Sequence, residues 1–544
     1  MLLDLVILAC GFSIGWIFRC FGAGRRAESG FHRLAGRRTL AILVCCGLAM
    51  LPRLALLPWI PPRLPAIMDE SSYVFGAQTL AAGRLANPTP AFWQHFETFH
   101  INLVPSYQSM YPPAPSLFYA LGIVAGGGPW WGLWLSTGLM CGAICWALQP
   151  LVRPRYALLA GIFCSLKYGV FSIFSDWYLG GAVAALGGAL VLGGYLRLIS
   201  TARLRQAVWL VIGIAILANA RPFEGALFSL PIGVALLIRI LQRRQWKLLA
   251  ATAAMLALLI SAMGYYNLRS TGSAWKMPYM ENFEQYHYVL PLLGMGMQPR
   301  PQYRHPEMGI LYDQWEGERG LLAKTASGIM SLNWEKFRSY YHEHFGPVLL
   351  LALLGVAASL RSPRGRIPAI ALLLVCCGLF CTVYRQFSAY PAPMLAGFFG
   401  FAMTGIRRLN AASIRRQRLG PYLGRGLMAV LLIVGAARLG ENVIKGLKAT
   451  GADPAPWNVV RARMIDNLTN SDGQHLIFVK YLPQHNGHEE WVYNTPDLDR
   501  QKVIWARSMG EAEDHALMKH YPGRQFWLIK PDAAYMLIPA KSAR

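Results

Sequence analysis

Long apolar runs separated by short basic clusters fill the chain as far as about residue 440. A helix needs roughly 17 to 25 largely apolar residues to cross a bilayer. That template selects Leu2–Phe18, Thr39–Ile60, Trp130–Leu148, Ala157–Phe174, Gly180–Ile199, Ala207–Ala220, Phe223–Ile240, Leu248–Tyr265, Pro347–Leu360, Ile367–Val383, Met394–Ile406 and Gly426–Ala437, which makes twelve crossings. Several fall short of a full span. Ala207–Ala220 reads either as a crossing or as a half-embedded helix that meets its neighbour at the "ARPFEG" turn, Ala220–Gly225.

The pattern changes beyond residue 440. A helix over Trp457–Leu468 precedes the apolar run "LIFVKYL" (Leu476–Leu482), then "VIWAR" (Val503–Arg507), a helix over Glu511–His520, and "QFWLIK" (Gln525–Lys530). Short apolar runs alternating with helices predict a small α/β unit with a partly parallel sheet. The expected fold is therefore a polytopic α-helical membrane protein of about 12 transmembrane helices, residues 1–440, followed by a C-terminal extramembrane α/β domain, residues 441–544.

Of the 544 residues 54% are hydrophobic and only 15% charged, which agrees with that class. The net charge of +25 at first suggests nucleic acid as a partner. Its distribution excludes that reading, because the cations cluster in alternate loops. One set holds Arg19, Arg25, Arg26, Arg33, Arg37 and Arg38; Arg153 and Arg155; Arg203 and Arg205; Arg243, Arg244 and Lys247; Arg361, Arg364 and Arg366; and Arg407, Arg408, Arg415, Arg416, Arg418 and Arg425. Such loops stay in the cytoplasm. The opposite, outer face then receives residues 61–128, residues 267–346 and the tail. In the second of these pieces eight Lys and Arg balance eight Asp and Glu, so it carries no positive bias.

An even number of crossings sets the N-terminus and the tail on the same side. Leu2–Phe18 carries Asp4 in place of a basic start and reads as a retained helix, not a signal peptide. All ten cysteines lie in or beside apolar runs, and no zinc or disulfide spacing is visible.

The chemistry concentrates outside. "MDESSY" (Met68–Tyr73) delivers Asp69 and Glu70 side by side just after a membrane run. Acids in the first turn of a helix satisfy free backbone N–H groups, so capping is the plainer reading; acid/base chemistry is the other. Asp176 in "SDWY" also stands at an outer helix end, as an interfacial cap beside Trp177 and Tyr178 or as a site residue. Arg221 in "NARPFEG" reads either as a phosphate-binding guanidinium or as an ion-pair partner of Glu224. Lys167 lies inside an apolar run, where a cation is costly unless it is paired or faces water. Arg53 and Arg385, near outer helix ends, read as snorkelling side chains. His95, Glu97 and His100, and His342, Glu343 and His344, leave a divalent cation open, although neither spacing sets three ligands on one helical face. Phe92, Trp93, Tyr107 and Tyr111 are of the type that stacks on sugars or gathers at a membrane surface.

Several stretches taken together resemble a known family. They are "MDESSYVFGAQTLAAGRLANP" (Met68–Pro88), "HFETFH" (His95–His100), "PSYQSMYPPAPSLFYALG" (Pro105–Gly122), "FSDWYLGGAVAALGGAL" (Phe174–Leu190), "ARPFEG", "EEWVYN" (Glu489–Asn494) and "VIWAR". They resemble the lipid-linked-sugar glycosyltransferases of the GT-C fold, and among these the bacterial family-39-like proteins related to protein mannosyltransferases. The resemblance implies a polyprenyl-phosphate sugar as donor and an acceptor hydroxyl on a lipid, glycan or protein. Transfer would occur with inversion at the outer face of the cytoplasmic membrane. It also implies Asp69 as general base with Glu70 as its second. The residues expected at the substrate are Glu97, His100, Tyr111, Lys167, Asp176 and Arg221. Membrane lipids are the remaining partner, and no organic cofactor is called for. Two rivals stay open: a transporter or flippase of lipid-linked sugars, and a non-catalytic lipid-binding relative. The gathering of acids on one face, with no scatter of charge through the bundle, favours chemistry there.

Overall fold

The computed structural model describes Ser13 and residues 25–346, 348–384, 389–411, 420–452 and 454–540. The run Leu2–Phe18 lies almost wholly outside the described residues, as does Arg385. Among the described residues six helices are long and apolar enough to cross a membrane: Arg38–Ala55, Pro129–Leu148, Gly181–Thr201, Pro222–Gln242, Trp246–Thr271 and Leu423–Thr450. Ala114–Gly126, Leu204–Ala218 and Arg366–Phe380 are shorter apolar helices. The chain is thus a polytopic helical membrane protein. Length alone does not reach twelve crossings, because several apolar runs form helices shorter than a bilayer's thickness. The helix Gly420–Thr450 also continues past residue 440, so that boundary falls inside a helix.

Gly181–Thr201 is the axis of the bundle and almost wholly buried. Its small residues are what let its neighbours approach. A Cβ at Gly188 would lie 1.9 Å from the Pro393 carbonyl oxygen, and one at Gly213 would lie 2.7 Å from that of Gly187. Trp246–Thr271, in contrast, exposes nearly its whole length.

Above the bundle, three parts of the chain form one head. The first is residues 61–128, with the helix Met68–Ala81 and the short antiparallel pair β1 (Ile101–Asn102) and β2 (Gln108–Ser109). The second is residues 267–346, which join the first where the Asn102 amide donates to the Pro278 carbonyl at 2.9 Å and the His305 ring meets the Gln94 carbonyl at 2.8 Å. The third is the tail. Its sheet runs β4 (Val503–Arg507), β3 (Gln474–Val479), β5 (Arg524–Lys530), β6 (Ala534–Pro539), with β3 parallel to both neighbours and β6 antiparallel to β5. Helix Trp457–Asn470 covers one face. The other face packs Leu476, Phe478 and Ile504 against Phe96, Ile101 and Tyr107 of the first part in one continuous core.

Arg507 locks that junction. Its Nε donates to the Glu97 carbonyl at 2.6 Å and its Nη2 to the Glu490 carboxylate, while the His95 ring reaches its own carbonyl at 2.9 Å. The tail thus shares its core with the rest of the head. Residues 455–544 expressed alone are therefore expected to expose Leu476, Phe478 and Ile504, bind the apolar dye ANS and self-associate. A monomeric fragment with a cooperative melt and no dye binding would show that this face tolerates water.

Candidate functional site

Adjacent residues on an α-helix point about 100° apart, and here Asp69 and Glu70 take different surroundings. They begin the helix Met68–Ala81, whose N-cap, Ile67, offers no side-chain bond. Glu70 turns inward and is fully buried. Its carboxylate accepts from the backbone N–H groups of Ala66 at 3.0 Å and Tyr178 at 3.1 Å, with the Arg63 guanidinium 3.7 Å away. Burial pushes this carboxyl above its ordinary range, against the pull of Arg63 and the two N–H donors. Glu70 stitches the helix to two loops and lies off the cavity wall.

Asp69 turns outward, onto a cavity of about 600 Å³ that His100 and Tyr111 also line. The Tyr111 hydroxyl donates to Asp69 Oδ1, and His100 Nδ1 lies 3.2 Å from the phenol oxygen. With the phenol proton committed to Asp69, the imidazole is the donor in that second bond. Burial, reinforced by the Asp69 charge, holds the Tyr111 phenol well above its ordinary range, so it remains a donor at neutral pH. Burial also depresses His100, against the opposing pull of Asp69, and favours its neutral ring. The outcome is a carboxylate oriented through Tyr111 by a neutral histidine, with its remaining oxygen sites available to a ligand. Tyr73 stacks on the back of Tyr111, ring centroids 4.3 Å apart.

Arg221 stands behind this wall. Its Nη2 donates to the Leu179 carbonyl at 3.0 Å, and its guanidinium lies 4.1 Å over the ring of Tyr390, itself a cavity residue. No ion pair with Glu224 forms among the described residues. The other expected residues lie apart from the cavity wall. Asp176 is fully buried and accepts from Arg53 Nε at 3.0 Å, Arg53 Nη2 at 2.6 Å and the Ser175 hydroxyl at 2.7 Å. Arg53 is correspondingly buried instead of snorkelling. Glu97 accepts from the Tyr286 hydroxyl at 2.7 Å and lies 3.3 Å from both Arg304 and His305. Burial pushes Glu97 up, but the bonds from His305 and Tyr286 outweigh it and hold the carboxyl below its ordinary range. Lys167 donates to the His344 carbonyl at 2.8 Å.

Both histidine sets considered for a divalent ion are dispersed: His95 reaches Arg507, Glu97 reaches Tyr286, and His344 reaches the Tyr168 hydroxyl at 2.8 Å. Among the described residues no three His, Cys, Asp or Glu side chains converge to hold an ion. Neither histidine set therefore brings three ligands together.

Comparison with known proteins adds likenesses of backbone. No family model matches the chain, and no curated protein does. Among solved structures the chain is similar to ArnT from Cupriavidus metallidurans in the apo state, at 14% identity over 93% of this chain and 94% of that one, with a TM-score of 0.47. The same protein bound to undecaprenyl phosphate aligns at 14% identity over 92% and 90%, TM-score 0.46. The archaeal oligosaccharyltransferase AglB from Archaeoglobus fulgidus, in complex with an inhibitory peptide and a dolichol-phosphate, aligns at 12% identity over 92% and 69%, TM-score 0.47.

The far wall of the cavity comes from residues 267–346, which the sequence did not single out. His287, Trp315, Glu316, Arg319 and Glu335 line it. Arg319 donates to Glu335 at 3.0 Å through Nη2. The balanced charge of that stretch places it outside the membrane but marks none of these residues, because their partners are assembled by the fold and not by spacing.

Proposed function

We propose that this protein is a membrane glycosyltransferase that moves a sugar from a polyprenyl-phosphate donor to an acceptor hydroxyl, with inversion. The observation that supports it is the Asp69–Tyr111–His100 cluster on the wall of a cavity of about 600 Å³, beside the apolar bundle. In the reaction the acceptor oxygen bonds to the anomeric carbon as the bond from that carbon to the phosphate oxygen breaks. The hydroxyl proton passes to Asp69 and the phosphate leaves with its electron pair. The proton need move only as the glycosidic bond gives way, so a carboxylate held in position suffices. We place the head on the outer face of the cytoplasmic membrane, because the opposite loops are Arg-rich. About twelve crossings follow if the shorter helices Pro154–Tyr168, Leu204–Ala218, Val348–Leu360, Arg366–Phe380 and Leu395–Asn410 each count as one beside the six long ones, with Leu2–Phe18, outside the described residues, as the twelfth.

The direct test is transfer from synthetic polyprenyl-phosphate sugars by the purified protein. Binding of the lipid without turnover from any donor would favour the non-catalytic rival. The leaving phosphate needs positive charge nearby, and Arg221 behind Tyr390 is our assignment. Arg221→Gln is expected to weaken undecaprenyl phosphate binding by roughly ten-fold or more, the scale of one charge-assisted hydrogen bond. Unchanged affinity with a lowered melting temperature would make Arg221 a support for the Tyr390 wall alone.

A further inference from the structure

His287 and Glu316 line the same cavity as Asp69 and have no part in the mechanism above. His287 follows the helix Pro278–Tyr286. Its ring is 6% exposed, stacked on Phe283 with centroids 4.9 Å apart and set edge-on to Tyr312 at 4.7 Å. His287 Nδ1 lies 2.7 Å from Glu316 Oε2. An ionised carboxylate only accepts, so this bond places a proton on Nδ1, and in the neutral ring Nε2 then carries the lone pair. Nε2 is buried and meets no hydrogen-bond partner among the described residues. A buried polar atom without a partner costs stability, and a site of this kind is explained when a ligand meets it.

We propose that the His287–Glu316 pair is a hydroxyl-recognition element: Nε2 accepts a hydrogen bond from a hydroxyl of the sugar carried on the lipid phosphate, and Glu316 fixes the tautomer that makes this possible. The assignment rests on the donor class proposed above. The geometry favours a hydroxyl over a phosphate oxygen, since a phosphate offers acceptors where Nε2 needs a donor. The other charged groups and histidines that line the cavity are Asp69 and His100 from the first part of the head, Glu318, Arg319 and Glu335 from the second, and His488 from the tail.

The test compares two probes on the full-length protein, undecaprenyl phosphate and undecaprenyl-phosphate mannose. His287→Gln is expected to bind the mannosyl lipid about five-fold to ten-fold more weakly, the scale of one hydrogen bond, while binding the bare lipid within about two-fold of wild type. Nitrogen NMR of histidine-labelled protein at pH 8, assigned by difference from His287→Gln, should show His287 protonated at Nδ1 and not at Nε2. In Glu316→Gln that bias should be lost. A proton on Nε2 in the wild type overturns the proposal. So does equal weakening of both lipids in His287→Gln. If neither lipid binds the wild type, the donor class fails, and the tautomer alone decides whether the pair is built as an acceptor.

Discussion

Asp69→Asn is expected to cut sugar transfer by roughly two orders of magnitude or more, the usual scale for losing general-base help, while leaving folding and lipid binding in place. The variant isolates proton acceptance. An Asn amide oxygen still accepts the Tyr111 hydroxyl that Asp69 Oδ1 accepts now, so the His100–Tyr111 arrangement persists. What disappears is a group able to take the acceptor's proton. Capping is not at stake, because the N-cap position belongs to Ile67 and the inward carboxylate of Glu70 holds the Ala66 N–H. The assay is transfer from a short-chain polyprenyl-phosphate sugar by purified wild-type and variant protein, with lipid binding measured in parallel. Near-normal turnover by the Asn variant would reduce Asp69 to a hydrogen-bond acceptor for Tyr111.

The largest loss of stability is expected at Asp176. Its carboxylate and the Arg53 guanidinium are both fully buried, and Arg53 further donates to the Ile60 carbonyl at 2.7 Å. Removing one partner of a buried pair strands the other charge, which costs about 3–5 kcal/mol. Asp176→Ala should therefore lower the unfolding temperature in detergent sharply. Replacing both, as Arg53→Met with Asp176→Leu, should recover much of the loss, because no charge is then left alone. A direct substrate role for Asp176 predicts something else: a stable Asp176→Asn protein that no longer binds donor. That result would move Asp176 back into the site.

The polytopic helical character of the chain and the place of the acid pair at the start of a helix were legible because both depend on local pattern. The run Trp130–Leu148 is the helix Pro129–Leu148, and Gly180–Ile199 is Gly181–Thr201. "VIWAR" is β4. Partnership across the chain was not legible. Arg53 and Asp176 stand 123 residues apart, and each alone reads as an interfacial residue. His287 and Glu316 are 29 apart in a stretch whose charges balance, so no excess marks them. The roles of Asp69 and Glu70 diverge by one residue's rotation around the helix. The side the cavity occupies was decided by His100 and Tyr111, which lie beyond the reach of helical spacing.

The junction at Arg507 sets a schedule for assembly. Its guanidinium and the Glu97 carbonyl that it holds are separated by 410 positions. At roughly 5–20 residues per second, synthesis of the intervening chain takes about 20 to 80 s. Throughout that interval Phe96, Ile101 and Tyr107 have been made and the strands that cover them have not. The nascent head is thus an exposed apolar surface waiting for the end of its own chain. A stop codon shortly before residue 507 would leave a bundle with its helices inserted and its loop segment open, a substrate for quality-control proteases and not a weakened enzyme.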